Sequence, residues 1–211
     1  MPPFVSPVPW AQARPTLLGL ARADLDVGEL PWPRLLAHAG PTGLGQARLR
    51  PFADDPLPPL LELLALVLPL GADRLTLALP GRAWSLDDPV VPACEQGDLR
   101  QPVLLLVSAD AHGRRCRLST ELYPVEAAPG PVGAGAAVPA RLGDPTPPDQ
   151  DAEGPVAAAL RLLLDEGGRR SGDVGHHQLA SQYARVLLLG HEVLLTPVSG
   201  RALLRDTVAV P

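Results

Sequence analysis

Lysine, asparagine and isoleucine are absent from this chain of 211 residues, so all eighteen basic residues are arginines. The codons of the three missing amino acids are rich in A and T. Those of proline and glycine, which occur 27 and 20 times, are rich in G and C. We therefore infer a GC-rich bacterial genome, and we take the proline and glycine content as a weak indicator of disorder or of function.

The missing lysine excludes several kinds of chemistry. The chain has no phosphate-binding lysine of the Walker or protein-kinase type, and it cannot form a Schiff base with a substrate or with pyridoxal phosphate. The missing asparagine excludes a Cys-His-Asn catalytic set. The sequence also contains neither G-x-S-x-G nor H-E-x-x-H. These absences predict no cofactor.

Cysteine and net positive charge are also scarce. Cys94 and Cys116 are the two cysteines, and without a C-x-x-C motif a cysteine-rich zinc site is excluded. A disulfide between them is possible by count, but reduced thiols are favoured because no feature indicates export. The net charge of −5 argues against a dedicated nucleic-acid-binding protein, and the cluster of Arg114, Arg115 and Arg117 is interpreted as a solvent-exposed face.

Long hydrophobic runs are missing as well. The longest apolar run, Leu60 to Leu70, contains Glu62 and is too short to span a bilayer, which takes about 20 residues. The N-terminus lacks the basic and apolar regions of a secretory signal. We expect a cytoplasmic protein without a membrane partner.

The hydrophobic patterns predict an α+β fold, in which a small antiparallel sheet of three to four strands carries about three helices on one face. The predicted strands are 74–79, 103–109 and 115–123, and 192–196 could add a fourth. The predicted helices are 57–68, 155–166 and 176–188. A short helix is also expected over 33–39, with Pro33 at its first position, followed by a loop over 40–56.

Four segments follow from the same patterns. Residues 1–16 form a proline-rich N-terminal segment that should not be helical, and an extended arm held by Phe4 and Trp10 is favoured over a free tail. Residues 17–123 form the helix and hairpin part of a single domain. Residues 124–154 are interpreted as a linker or mobile loop, and residues 155–211 as the helical part that completes the same domain.

The leading functional hypothesis is a non-enzymatic interaction, regulatory or assembly module. The predicted helix 57–68 is apolar nearly all round, which indicates either deep burial or a partner. A protein partner or self-association is therefore expected at this helix, while binding of nucleic acid is not. The residues expected at this interface are Leu57, Leu60, Leu61, Leu64, Leu66 and Trp10.

The alternative hypothesis is a small metal-dependent or histidine-based hydrolase. Asp173 and His177 are four residues apart, so they would share one face of a helix, and His191 and Glu192 follow at the next predicted strand. Two histidines and a carboxylate can hold a divalent metal or provide a base with its orienting group. The favoured interpretation is nevertheless that His176 and His177 are exposed polar residues at a helix start and that His191 is a turn residue, so neither a catalytic residue nor a metal ligand is assigned.

Overall fold

The chain folds around one seven-stranded antiparallel sheet. In a computed structural model, the described residues are 5–52, 55–83, 100–112, 115–127, 140–150, 154–170 and 176–204. Within them the strand order is β6-β5-β4-β3-β1-β2-β7. The strands are β1 Arg34–Ala39, β2 Thr42–Arg48, β3 Arg74–Ala83, β4 Gln101–His112, β5 Arg115–Ala127, β6 Ala140–Leu142 and β7 Glu192–Leu195. The helices are α1 Trp10–Asp26, α2 Leu57–Val67, α3 Pro155–Arg170, α4 His176–Leu188 and α5 Pro197–Leu204.

The prediction of a three- to four-stranded sheet with helices on one face is wrong, although the fold is α+β. The helices cover both faces of the sheet. On one face Leu35, Leu75 and Leu77 share a core with α2, α3 and α4. On the other face Leu36 and Leu106 share a second core with α1. Successive residues of a strand point to opposite faces, so β1 is apolar on both and lacks the alternation that marks a half-exposed strand.

Two sequence predictions in the N-terminal part are overturned. The segment 33–39 is not a helix, because β1 pairs with both β2 and β3. The loop expected over 40–56 contains β2. Gly43 and Gly45 lie in this strand, and because glycine is typical of turns, its sequence predicted a loop. A side chain at Gly43 would lie 2.6 Å from the Val8 carbonyl oxygen, so glycine is required where the N-terminal segment crosses this strand.

The proline-rich segment is extended only before Trp10. The Val5 N–H donates to the Leu195 carbonyl over 3.0 Å, and the Val8 carbonyl accepts from Nε2 of His38 over 3.0 Å. From Trp10 onward the chain is helical and continues through Pro15, which corrects the expectation of no helix in this segment. The buried stripe of α1 on the sheet offsets the hydrogen bond that Pro15 removes. This stripe consists of Ala13, Leu17, Leu18, Ala21 and Leu25.

The remaining predicted helices and strands are present, although α3 continues beyond its predicted end at residue 166 to Arg170. The predicted strands 74–79, 103–109 and 115–123 correspond to β3, β4 and β5, and β4 pairs with both neighbours. The helices α2, α3 and α4 begin at the expected residues. Strand β7 also exists, but it pairs with β2 at the far edge of the sheet. The expected linker over 124–154 contains the end of β5 and all of β6, which pair with each other. The division of the chain into segments of a single domain stays a prediction.

Candidate functional site

His191 is buried at the start of β7, and both of its ring nitrogens are engaged. Nδ1 accepts a hydrogen bond from the backbone N–H of Arg50 over 3.1 Å, and Nε2 lies 2.7 Å from Oε2 of Glu62. Because Nδ1 is an acceptor, the proton of a neutral ring sits on Nε2 and is donated to the carboxylate. Neither nitrogen has a lone pair left for a metal ion.

Glu62 connects His191 to a second partner. Arg50 donates to the Glu62 carboxylate from Nε over 2.8 Å and from Nη2 over 3.0 Å. The Arg50 guanidinium, followed by the His191 ring, lowers the pKa of Glu62 to about 2 against the opposing effect of burial. Such a carboxylate stays ionised at neutral pH and is a weak general base. The three residues therefore tie α2, β7 and the segment after β2 together.

Of the other residues of the predicted histidine site, the structure describes the side chain of Glu192 alone. Glu192 is exposed, and its carboxylate lies 3.5 Å from the guanidinium of Arg48. His177 is the second residue of α4, and Asp173 lies outside the described residues. Among the residues described, no group of three histidine, cysteine or acidic side chains is arranged to hold a metal. Sequence reasoning missed Glu62, although it is the one charged residue in α2.

The predicted interface residues divide into buried and accessible ones. Leu60, Leu64 and Leu66 are buried in the core, so they hold α2 against the rest of the protein. Leu57 is half-buried and packs against the same core. Half-buried Trp10 lies in the other core, with its ring edge-on to His38 at a centroid distance of 5.3 Å. Of the six, Leu61 is the one residue that is exposed, at 44%.

Leu61 belongs to a wider apolar surface that α2 shares with α4. We call this the α2–α4 surface and define it by the exposed apolar residues that line the groove between the helices, which are Leu61, Ala65 and Leu189, together with Leu188, the neighbour of Leu189 in the chain. Leu188 is 88% exposed. Between the two helices runs a groove of about 230 Å³, which has buried Val186 among its lining residues. Several exposed leucines on adjoining helices are unusual for a solvated surface.

The α2–α4 surface carries little charge. Glu62 lines the groove, but Arg50 neutralises its carboxylate and His191 forms a hydrogen bond with it. Arg185 also lines the groove, and no acidic side chain of the described chain pairs with it. Among the described residues that line the groove, Arg185 is therefore the one charged side chain without an oppositely charged partner.

No protein-family model, curated protein or solved structure matches this chain significantly. In the described part of the chain, every helix is too short or too polar to cross a membrane. The geometry of the residues is therefore the basis for a functional proposal.

Proposed function

We propose that this protein is an interaction module that binds a protein partner through the α2–α4 surface. The observation that carries the proposal is the exposure of Leu61 and Leu189 along one groove between two packed helices, with Leu188, which is 88% exposed, next to Leu189 in the chain. Removing apolar area from water stabilises a complex by about 25 cal/mol per Å² before the costs of association. The cytoplasmic location expected from the sequence belongs to the same proposal.

The partner that suits this surface is an amphipathic helix with an acidic side chain. A third helix can place large apolar side chains, spaced three and four residues apart, into a groove between two helices. Arg185 at the groove would then pair with an aspartate or glutamate of the partner. This pairing chiefly supplies specificity, because a like-charged partner is rejected.

A different protein is favoured over a second copy of the chain. A twofold contact centred on the groove places the same surface of both copies together. Two Arg185 side chains would then face each other, without an acidic group from the rest of the α2–α4 surface between them. The charge of the groove therefore opposes self-association there.

Site-specific photo-crosslinking in the cells that produce the protein tests this proposal. A photoreactive residue at Leu188 should capture one defined protein, and the matched control at Val27, which is 74% exposed elsewhere, should not. The captured protein, once purified, should bind the wild-type chain directly, and Leu188→Glu should abolish this binding. Equal capture from both positions, or capture of a second copy alone, would overturn the proposal.

A further inference from the structure

A second cleft, of about 550 Å³, lies beside the first residue of α1. Trp10 lines it, together with Ser108 of β4 and Ser119 of β5, which are directly opposite each other in the sheet. Leu104 and Tyr123, farther along the same strands and on the same face, belong to the core beneath α1. Because α1 begins at Trp10, it leaves the serine end of this face uncovered.

The charges around this cleft do not cancel. Asp110 lines the cleft, but Arg74 donates to its carboxylate from Nε over 3.0 Å. Arg117 of β5 also lines it, as does Arg161 of α3 from the opposite face of the sheet, and neither forms an ion pair within the described structure. The first turn of α1 adds no acidic side chain. The described residues that line the cleft therefore carry a net positive charge, although the whole chain carries a net charge of −5.

We propose that this cleft binds a small ligand with an oxyanion head and an apolar body. Arg117 and Arg161 would donate to the head, since the planar guanidinium fork matches both carboxylate and phosphate oxygens. The hydroxyl groups of Ser108 and Ser119 supply further donors, and Trp10 supplies an apolar wall. The volume lies within the range of roughly 300–1,000 Å³ that is typical of small-molecule sites. Such a site is independent of the α2–α4 surface.

Titration calorimetry at low ionic strength tests this proposal with three probes of similar shape. Phenyl phosphate and benzoate carry the two possible heads, and phenol carries none. We expect saturable binding of at least one anion, with the tighter one identifying the head, and no binding of phenol. Arg117→Gln and Arg161→Gln should each weaken anion binding about tenfold or more, because each removes charge-assisted hydrogen bonds.

Arg141→Gln is the matched control, since Arg141 is an exposed arginine that pairs with Glu126 on a different strand. This variant should bind the anion like the wild type. Circular dichroism should show that all three variants are folded. The proposal is overturned if phenol binds as well as the anions, if neither anion binds at millimolar concentration, or if Arg117→Gln and Arg141→Gln have equal affinities.

Discussion

The Nε2 atom of His191 donates a hydrogen bond to Oε2 of Glu62 over 2.7 Å, while its Nδ1 atom accepts one from the Arg50 backbone. The two residues are 129 positions apart in the chain. Their contact fixes β7 to α2, and thereby fixes the end of α4 that precedes β7. Because α2 and α4 form the proposed docking surface, we interpret this hydrogen bond as a support for that surface.

Acid should weaken this support through Glu62. Its pKa is lowered to about 2, mainly by Arg50 and then by His191. Its contribution to the free energy of unfolding is therefore full above its ordinary pKa near 4.5 and is lost as the pH falls toward 2. Glu62→Gln should cost about 1–3 kcal/mol at pH 6, and less at pH 3, as measured by urea unfolding.

Glu192→Gln is the control for that experiment, because the Glu192 carboxylate is 70% exposed in a longer ion pair. Its effect should be below about 1 kcal/mol at both pH values. A Glu62→Gln variant that matches Glu192→Gln at pH 6 would contradict the role given to Glu62.

Tyr123 should ionise unusually late. Burial, and then its 2.6 Å hydrogen bond to Glu121, raise the pKa of Tyr123 to about 12. The stability that this tyrosine contributes is therefore full below pH 10 and is lost as the pH rises through 12. In a Tyr183→Phe variant, Tyr123 is the remaining tyrosine, and its phenolate absorbance at alkaline pH should appear well above the ordinary range. A midpoint near 10 in the folded protein would contradict both the burial of this phenol and its hydrogen bond to Glu121.

Neighbouring leucines of α2 should differ sharply in their contribution to stability. Leu64 is buried in the core, whereas Leu61 is 44% exposed. Leu64→Ala should lower the free energy of unfolding by about 2–5 kcal/mol, because it leaves a cavity. Leu61→Ala should change it by less than about 1 kcal/mol. Chemical denaturation gives both values, and equal losses would mean that the helix presents a different face to the core.

Gly43 should tolerate no side chain. A Cβ atom there would lie 2.6 Å from the Val8 carbonyl oxygen, which accepts the hydrogen bond from His38. Gly43→Ala should therefore displace the extended segment before α1 and cost about 1–3 kcal/mol. Gly19→Ala in α1 is the control, because nothing lies within 4 Å of its Cβ position. It should stabilise the helix by about 0.5–1 kcal/mol, and a Gly43→Ala variant as stable as the wild type would rule out the close crossing.

How far the sequence could predict this fold depended on how each segment is buried. Strand β3 was predictable because Leu75, Leu77 and Leu79 alternate with less apolar residues. Strand β1 was not, since both of its faces are covered and its sequence has no period. The helix α1 was not predicted because Pro15 lies inside it. Proline removes a backbone hydrogen bond from a helix, and here packing on the sheet, which the sequence does not reveal, offsets that loss.

The candidate sites were only partly predictable, for a similar reason. The apolar character of α2 is visible in the sequence, but which of its leucines remain exposed depends on α4 and the sheet. His191 could be named as a candidate from the sequence. Its partners Glu62 and Arg50 could not, because they are distant from it in the chain. The cleft arginines, Arg117 and Arg161, come from elements that meet only after folding.

The most direct test of the docking surface is the affinity of the protein captured by crosslinking from Leu188, measured by titration calorimetry against three chains. These are the wild type, Leu188→Glu and Val27→Glu, which place the same charge at two highly exposed positions. We predict that Leu188→Glu raises the dissociation constant by roughly 30-fold or more and that Val27→Glu leaves it unchanged. Equal dissociation constants for the two variants would contradict the assignment of the α2–α4 surface as the binding site.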